Sequence, residues 1–332
     1  MKLTPDSKIL VQGITESRLS THAAVMMKSS GTNVVAGVSP GQGGQNLVLE
    51  RSEGLVLERS EGLVLEGSEG VEGIPLFDLV EQAVTTLGQI DTTVIFVHPY
   101  AVLDAALEAI AAGIRQIIII SEGMPPLDMV QLVRKAEATE TLVVGPNSSG
   151  IIIPGKLLLG THPIEFYTPG PVGLISRSST LTYEIALGLT QAQLGQSIGV
   201  SIGGDMIVGS SFMQWLQILD EDDQTEVIVL VGEMGGGSEE SVASYIAETI
   251  DKPVIAYIAG RYVPTVTAPL GHAAALATSR AAAQVAAEIA GTAESKIAAF
   301  EQAKIPVAEF PSQIPALVNQ VLKKSRKGTV AS

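Results

Sequence analysis

The sequence predicts an α/β protein with two doubly wound domains, each built around a parallel sheet. Short β-rich runs alternate with longer helix-like runs along the chain, and this alternation restarts after a Pro/Gly-rich stretch at 153–171. The chain has 332 residues, which fits two domains of roughly 150 residues each. Alternating strands and helices form parallel sheets joined by right-handed crossovers. We therefore expect one domain over 1–154 and a second over 155–332.

The first series of elements has the Val- and Ile-rich strands that are typical of a buried parallel sheet. Strands are predicted at 9–11, 33–38, 93–97, 116–120 and 141–144, and helices at 23–29, 79–87, 102–112 and 127–138. Because the helices alternate with the strands, the crossovers place neighbouring strands side by side.

A near-perfect octad repeat interrupts this series. Residues 47–54, 55–62 and 63–70 read LVLERSEG, LVLERSEG and LVLEGSEG. These octads are too short for a solenoid, whose units have about 20–50 residues. The repeat lies between the turn at 39–41 and the helix that follows Pro75, where an insertion costs little closure entropy. We interpret it as a duplicated surface loop, whose Leu-Val-Leu segments are also able to pair as β-ribbons.

The second series begins after the Pro/Gly-rich stretch. Strands are predicted at 172–176, 198–202, 226–231, 254–258 and 306–308. Helices are predicted from 181, at 212–219 and at 241–249, followed by a long Ala-rich helix and a C-terminal helix. This order again predicts a doubly wound sheet.

Composition and charge exclude several classes of function. Lys plus Arg number 20 and Asp plus Glu number 35, so the net charge of −15 argues against binding to nucleic acid or to an anionic membrane. The chain has no cysteine, which excludes disulfides, thiolate catalysis and cysteine-ligated metal sites. The uncharged run at 185–204 is interrupted by Gln and Ser and is unsuited to span a membrane. Since the N-terminus lacks the apolar segment of a signal peptide, we expect a soluble cytoplasmic protein.

The first strand–helix turn, Gln12 to His22, is the expected place for a bound phosphate. Ligands of doubly wound domains lie beyond the carboxyl ends of the strands, near the point where the strand order reverses. Only Gly13 matches a glycine fingerprint, however, and Glu16 places a carboxylate where phosphate is expected. A phosphate cradle and an ordinary turn are both open at this point. The missing G-x-G-x-x-G argues against a nicotinamide-dependent dehydrogenase.

In the second half, polar groups follow four successive strands. These are Ser176, Ser178, Ser179 and Thr180 after the first strand, Gly203, Gly204 and Asp205 after the second, Glu233 after the third and His272 after the fourth. The turn at 176–180 is either a simple helix cap or a helix end that holds an anion. Because parallel strands end at one edge of a sheet, these groups are expected along the same edge.

His272 is the candidate nucleophile. A neutral imidazole is a good nucleophile near neutral pH, and a carboxylate that binds its other ring nitrogen fixes the tautomer. Glu233 is the best-placed carboxylate for that role. His22, His98 and His162 have no comparable setting, and the histidines lack metal-ligand spacing, so no metal site is expected.

Taken together, these segments resemble the alpha subunit of succinate–CoA ligase, also called succinyl-CoA synthetase. The matching segments are GVSPGQGG (37–44), GIPLFD (73–78), ISEGMPPLDM (120–129), GPNSSG (145–150), ISRSSTLTYE (175–184), IGGD (202–205), GEMGG (232–236), YIAG (257–260) and GHA (271–273). They keep the order of the family's motifs and cover nearly the whole chain outside the octads and the stretch after His272.

The resemblance implies an N-terminal Rossmann-like CoA-binding domain and a C-terminal flavodoxin-like ligase domain. It implies that a nucleoside triphosphate, held with magnesium on a beta subunit, phosphorylates His272, and that Glu233 is the carboxylate partner of this histidine. The phosphoryl group then passes to succinate, and CoA displaces phosphate to give succinyl-CoA. The implied partners are therefore the beta subunit, succinate and CoA.

The resemblance also assigns the remaining site residues. Phosphate binding falls to Ser176, Ser178, Ser179, Thr180, Gly203 and Gly204, substrate binding to Tyr183, and CoA binding to Gly13, Thr15, Ser17, Pro40, Gln42, Glu122 and Asn147.

Most departures from the family pattern lie in the CoA-binding segments. Glu16 and Leu19 stand where the family has glycines, Gln42 where it has a lysine, and Ser148 and Ser149 where it has cysteine and proline. Loss of one cation that faces a phosphate removes a bond worth about 1.5–3 kcal/mol. Two hypotheses follow: an active alpha subunit, and a non-catalytic paralogue that docks on a beta subunit or another partner with weak or no CoA binding.

Overall fold

The computed structural model of this chain describes residues 3–48, 65–66, 73–262 and 291–329. Most of the octad segment, His272 and the Ala-rich stretch that follows it lie outside these ranges. The described elements form two sheets with helices packed against them, so the predicted α/β class with two parallel sheets is confirmed.

The first sheet has eight strands. The elements of this half are β1 (Ile9–Gln12), α1 (Arg18–Ser29), β2 (Val34–Val38), β3 (Asn46–Val48), β4 (Leu65–Glu66), β5 (Gly73–Phe77), α2 (Val80–Leu87), β6 (Thr92–Ile95), α3 (Val102–Ala111), β7 (Gln116–Ile119), α4 (Pro126–Ala138) and β8 (Leu142–Val144). The strand order is β4-β3-β5-β2-β1-β6-β7-β8, and the six strands from β5 to β8 in this order run parallel.

Apolar side chains bury the centre of this sheet on both faces. Every residue of β1 and β6 is buried, and Ile117, Ile118 and Ile119 of β7 are at most 2% exposed. Continuous β-branched runs of this kind are typical of parallel strands that are covered by helices on both sides. The helix α3 contributes small residues to this packing, among them Ala106 and Ala109, which are fully buried.

Two short antiparallel strands extend the first sheet at the octad insertion. In β3, Leu47 lies opposite Ile74 of β5 on one side and opposite Leu65 of β4 on the other. The first and third octads therefore pair as a ribbon at their described ends. The sequence analysis did not predict β5, which contains Pro75, a residue that is unfavourable inside a sheet. The structure accommodates this proline where β5 faces the short antiparallel strand β3.

The second sheet has seven strands. The elements of this half are β9 (Gly150–Ile153), β10 (Leu157–Gly160), β11 (Pro169–Ser176), α5 (Ser179–Gln191), β12 (Gln196–Ser201), α6 (Phe212–Glu221), β13 (Val227–Gly232), α7 (Ser238–Thr249), β14 (Val254–Ile258), α8 (Ala293–Gln302), β15 (Val307–Ala308) and α9 (Ile314–Thr329). The order is β10-β9-β12-β11-β13-β14-β15, with β11 to β15 parallel. Within the described ranges, every helix is too short or too polar to span a bilayer.

A β-hairpin that the sequence did not predict forms one edge of the second sheet. Strands β9 and β10 are antiparallel, with Gly150 opposite Gly160, and β9 also pairs antiparallel with β12. The chain therefore passes from the first sheet to the second between β8 and β9, a few residues before the predicted boundary. That boundary, 1–154 against 155–332, stays a prediction.

Backbone contacts join the two halves at this connection. The Gly145 nitrogen donates to the Ile202 carbonyl at 3.2 Å, and the Gly145 carbonyl accepts from Gly209 at 2.8 Å. Gly203 has a φ of +108°, and a Cβ added there would lie 2.2 Å from the Pro146 carbonyl oxygen. The turn after β12 therefore packs directly on the first half of the chain, and only glycine allows this approach.

We predict that Gly150→Ala destabilises the protein by more than about 4 kcal/mol, because the backbone itself must move. Gly150 has a φ of +90°, and an added Cβ would lie 1.8 Å from the Leu159 carbonyl oxygen. Gly31→Ala is the matched control: Gly31 has a φ of +89°, and nothing lies within 4 Å of its added Cβ. This control should cost only about 1–2 kcal/mol for the left-handed conformation. Urea unfolding measures both losses, and equal losses would contradict the packing argument.

Candidate functional site

Each sheet has one position where the strand order reverses, and this position places the candidate site residues. In the first sheet it lies between β1 and β6, and in the second between β11 and β13. Loops at the carboxyl ends of the two flanking strands diverge there and leave a crevice for ligands. The predicted phosphate-binding turn and Glu233 both lie at the second switch point, and the predicted CoA-binding turn lies at the first.

The turn after β11 is built by its own hydroxyl groups. The Ser176 hydroxyl accepts from the Ser178 nitrogen at 3.0 Å and donates to the Ser178 carbonyl at 2.9 Å. Ser178 is the N-cap of α5, and its hydroxyl accepts from the Leu181 nitrogen at 3.5 Å. Ser179 and Thr180 are the first two residues of the helix, where backbone N–H groups have no intrahelical acceptor. The helix cap that the sequence predicted is therefore present. Anion binding by the first backbone N–H groups of α5 stays a prediction.

Glu233 follows β13 and is 7% exposed. Its backbone nitrogen donates to Glu239 Oε1 at 3.2 Å. The other oxygen of the Glu239 carboxylate pairs with the ammonium group of Lys296, and both side chains are fully buried. Lys296 Nζ also donates to the Gly235 carbonyl at 2.8 Å. One ion pair thus fixes the Glu233 loop to α7 and to α8.

A second set of contacts links the neighbouring strand ends. Arg177 is 6% exposed, and its Nη2 donates to the Asp205 carbonyl at 2.9 Å. Its backbone nitrogen donates to the Val231 carbonyl at 3.1 Å. Asp205 Oδ1 in turn accepts from Asn147 Nδ2 at 3.1 Å, and the Gly204 nitrogen donates to the Asn147 carbonyl at 3.1 Å. Asn147, which the resemblance assigns to CoA, therefore also holds the turn of the second half.

Tyr183 lies in α5 and is partly buried against a histidine. The Tyr183 ring packs edge-on to His162, with centroids 5.8 Å apart. His162 Nε2 lies 3.0 Å from the Gly150 carbonyl, and Nδ1 lies 2.8 Å from the Tyr167 hydroxyl. Because a carbonyl only accepts, Nε2 carries the proton and Nδ1 accepts from Tyr167. Burial lowers the pKa of His162 from 6.5 to about 4, so the ring is neutral at pH 7.

His272 lies outside the described residues, so its role stays a prediction. The roles predicted for Glu233, for Tyr183 and for the phosphate- and CoA-binding residues also stay predictions. The structure gives their positions: Glu233 and the turn at 176–180 lie at the same switch point, and Gly203 and Gly204 follow the adjacent strand β12.

At the first switch point, the turn after β1 packs tightly between two neighbouring strand ends. Gly13 has a φ of +72°, and an added Cβ would lie 2.9 Å from the Val97 nitrogen, which follows β6. The Thr15 hydroxyl bonds to the Ser39 hydroxyl, which follows β2. Ser17 is the N-cap of α1, and its hydroxyl accepts from the Ser20 nitrogen at 3.1 Å.

A hydrogen bond between a side-chain carboxylate and the backbone spans this switch point. Glu16 Oε2 accepts from the His98 backbone nitrogen at 2.9 Å. Glu16 belongs to the turn after β1, and His98 lies just beyond β6, so the bond spans the crevice between the two strand ends. The sequence analysis predicted a carboxylate at this turn but not the backbone donor that it binds.

The loop that carries Pro40 and Gln42 folds around a second carboxylate. Asp78 Oδ1 accepts from the Gly41 nitrogen at 2.7 Å and from the Gly43 nitrogen at 2.9 Å. Pro40 is exposed and Gln42 is half-buried on this loop. Glu122, the remaining residue assigned to CoA, is exposed after β7. The carboxyl edge of the first sheet therefore bears Glu122 as well as the two carboxylates that hold backbone N–H groups.

A cleft of about 600 Å³ lies away from both switch points. The end of α4 and the start of β8 form one wall of this cleft, and the segment that leads into α6 forms the other. The lining residues are Val133, Ala136, Glu137, Glu140, Thr141, Leu142, Val208, Gly209, Ser210, Ser211 and Gln214. No predicted site residue lines it. The candidate sites are therefore the loop edges at the switch points.

Comparison with known proteins gives the family. Residues 4–123 match the CoA binding domain family, and residues 175–298 match the CoA-ligase family. The chain is 38% identical over 320 residues to the ADP-forming succinate–CoA ligase subunit alpha 2 of Archaeoglobus fulgidus, covering 95% of this chain and 97% of that protein. The chain belongs to the succinate–CoA ligase alpha-subunit family. A relative from Aquifex aeolicus, an ADP-forming succinate–CoA ligase subunit alpha, is also 38% identical, over 96% of this chain and 93% of that protein.

Solved structures show the same fold at lower identity. An ATP citrate lyase from Methanothrix soehngenii, in complex with citrate and coenzyme A, superposes with a TM-score of 0.80 at 22% identity. The match covers 99% of this chain and 52% of that one, so the alpha-subunit chain spans about half the length of the lyase. A dinucleotide-forming acetyl-coenzyme A synthetase from Ca. Korarchaeum cryptofilum gives a TM-score of 0.67 at 23% identity, over 92% of this chain and 58% of that one.

Sequence reasoning missed the buried ion pair behind the Glu233 loop. Glu239 and Lys296 each occupy a position in the apolar stripe of their helices. The buried residues are Glu239, Val242, Ala243 and Ile246 in α7, and Ala293, Lys296, Ile297 and Phe300 in α8. Glu239 occupies position i, and Lys296 position i+3, of an i, i+3, i+4, i+7 stripe whose other members are apolar. A charged residue in such a stripe is a sequence signal that could have indicated the pair.

We predict that Lys296→Met destabilises this alpha subunit by about 3–5 kcal/mol, because it leaves the Glu239 carboxylate buried without its counter-charge. The double variant Lys296→Met, Glu239→Gln should recover much of this loss, since the glutamine oxygen still accepts from the Glu233 nitrogen. Urea unfolding of the two single variants and the double variant gives the coupling energy. A Lys296→Met loss below about 1 kcal/mol would show that the pair is not a buried charge pair in solution.

We predict that His162 makes stability pH-dependent between about pH 6.5 and pH 4. The folded pKa lies at about 4 and the unfolded pKa at 6.5, so the unfolded state binds a proton in this window that the folded state excludes. Stability should therefore fall as pH falls through the window, by about 3 kcal/mol in total. His162→Gln serves as the control, because carboxylates titrate equally in both proteins. Stability profiles of the two proteins that run parallel from pH 7 to pH 4 would contradict the assignment.

Proposed function

We propose that this chain is the alpha subunit of a succinate–CoA ligase, active only with a beta subunit. The reaction converts succinate, CoA and a nucleoside triphosphate to succinyl-CoA, the nucleoside diphosphate and phosphate. His272 carries the phosphoryl group between the nucleotide and succinate. The beta subunit holds the nucleotide and magnesium, as the resemblance implies. The predicted cytoplasmic location stays a prediction.

The observation that carries this proposal is the placement of Glu233 and the α5 N-terminus at one switch point. Glu233 is buried on a loop that the Lys296–Glu239 pair fixes. The first N–H groups of α5 provide a positive end for a phosphoryl group, and no lysine is needed for that. A carboxylate beside such an end suits an imidazole that alternates between neutral and phosphorylated forms.

The proposed reaction consists of three successive displacements. A ring nitrogen of His272 attacks the terminal phosphorus of the nucleotide, the P–N bond forms, and the nucleoside diphosphate leaves. A succinate carboxylate oxygen then attacks that phosphorus and the histidine leaves, which gives succinyl phosphate. The CoA thiol attacks the acyl carbon of succinyl phosphate, loses its proton, and phosphate leaves. Glu233 would orient the imidazole through its second nitrogen, and the α5 N-terminus would stabilise the transferred group.

The matches over both halves of the chain support the ligase rather than the non-catalytic alternative. Two relatives that match over at least 95% of this chain are named as ADP-forming succinate–CoA ligase subunits. Among the residues that the structure describes, the carboxyl edge of the second sheet keeps most of the serine turn, the Gly-Gly-Asp turn and Glu233.

The test is phosphohistidine formation in a complex of this chain with a succinate–CoA ligase beta subunit. With ATP labelled in its terminal phosphate, the chain should acquire acid-labile, base-stable label. His272→Asn should abolish this label, and Glu233→Gln should slow labelling by at least about 10-fold, because the imidazole loses its orienting carboxylate.

His22→Asn is the matched control, since His22 is an exposed histidine on α1. This variant should label like the unaltered chain. Label that persists in His272→Asn, or that is lost in His22→Asn, would contradict the proposed function.

A further inference from the structure

We propose that Glu16 is an internal competitor for the pyrophosphate group of coenzyme A, and that it sets the affinity of the first switch point for this ligand. The inference rests on the proposed function for its ligand. It goes beyond that function because it assigns Glu16 a role in weakening CoA binding. The Glu16 carboxylate lowers the affinity for CoA and at the same time stabilises the folded chain.

Glu16 lies at the place where the pyrophosphate of CoA is expected to bind. The pyrophosphate of a nucleotide ligand lies at the first strand–helix turn of such domains, over the switch point. The Glu16–His98 bond joins the turn after β1 to the end of β6, which are the two strands that flank this point. The close contact of Gly13 with Val97 brings the same two strand ends together beneath the bond.

The Glu16 carboxylate and a ligand phosphate would bind the same kind of donor. A carboxylate oxygen and a phosphate oxygen are both anionic acceptors, and both bind backbone N–H groups at such edges. Glu16 is exposed, so the bond lies at the solvent-facing mouth of the crevice rather than in the core. Glu16 therefore holds a backbone donor that a ligand oxygen would otherwise take.

Several other backbone donors of this edge also bind side chains of the protein. Asp78 takes the Gly41 and Gly43 nitrogens in the neighbouring loop. The Ser17 hydroxyl takes the Ser20 nitrogen at the start of α1. Along 13–19, 39–46, 77–80, 97–101, 120–125 and 145–149, the charged residues are Glu16, Asp78, Glu122 and Arg18. An incoming pyrophosphate thus meets three carboxylates and one guanidinium, and it must displace Glu16 to reach the His98 nitrogen.

Two opposite effects follow from one substitution. Without ligand, the Glu16–His98 bond stabilises the folded chain, so its loss should lower the unfolding midpoint. With ligand, loss of the carboxylate removes both the competitor and its repulsion, so CoA should bind more tightly. A residue with a purely structural role would lower stability and affinity together.

The experiment measures CoA binding to the full chain by calorimetry, with thermal unfolding of the same samples. Glu16→Gly should tighten CoA binding by about 10- to 100-fold, which is the range of one charge-assisted bond, and should lower the unfolding midpoint. Glu16→Gln should give an intermediate gain, because its amide oxygen still accepts from His98 but carries no charge. Glu81→Gln is the charge-matched control, as Glu81 is exposed in the first turn of α2, just beyond these loops, and it should change affinity by less than about 3-fold.

Ligand fragments identify the group that competes. The gain in Glu16→Gly should persist with dephospho-CoA, which keeps the pyrophosphate, and should vanish with pantetheine, which has none. CoA affinity that is unchanged or weaker in both Glu16 variants would overturn the inference, as would an equal gain with pantetheine. The phosphohistidine label does not depend on CoA, so unchanged affinity with normal labelling refutes the role of Glu16 alone, whereas absent labelling refutes the proposed function.

Discussion

Backbone N–H groups at the carboxyl ends of parallel strands need acceptors, and this chain supplies them from its own carboxylates. Glu16 serves the His98 nitrogen, Asp78 serves two nitrogens of the loop after β2, and Glu239 serves the Glu233 nitrogen. A buried N–H group that is left without a partner costs about as much as a lost hydrogen bond, so the Glu239 contact fixes the Glu233 loop. The exposed contacts of Glu16 and Asp78 hold their loops in competition with water. The same N–H groups are what a phosphate-bearing ligand uses, and structure and ligand therefore compete for them.

The two switch points resolve this competition differently. At the second, the carboxylate that fixes the loop is Glu239, which is fully buried and neutralised by Lys296, so its charge adds little repulsion at the edge. The same edge carries the helix end of α5, the Arg177 side chain and the carboxylates of Glu233 and Asp205. At the first, Glu16 and Asp78 hold exposed loops on an edge with one described cation, Arg18. The acidic total of −15 thus includes one edge on which Lys296 and Arg177 accompany the carboxylates, and another on which Arg18 is the one described cation.

The sequence predicted the parts of the fold that depend on periodicity, and it missed those that depend on partners. The Val- and Ile-rich strands of both sheets were found because burial on two faces leaves a continuous apolar run. The hairpin β9–β10 was missed because its strands are short, lie at the start of the Pro/Gly-rich stretch, and depend on distant pairing, since β9 joins the sheet through β12 and β10 pairs with β9. The positions of the turn at 176–180 and of Glu233 at strand ends were predicted, and their roles stay predictions. The Glu16–His98 bond joins residues 82 apart in sequence, and no local pattern specifies such a contact.

The Lys296–Glu239 pair fixes the place where the chain returns to the second sheet after the segment that carries His272. The segment between β14 and α8 carries His272 and has an Ala-rich stretch where the resemblance expects glycine and lysine. Its return point is nevertheless fixed, because Lys296 in the first turns of α8 bonds to Gly235 and to the Glu239 carboxylate. A buried ion pair contributes little net stability compared with apolar residues, but a misplaced register leaves a charge uncompensated in the core. The pair therefore selects one register of α8 against the Glu233 loop, whatever the composition of the segment that precedes it.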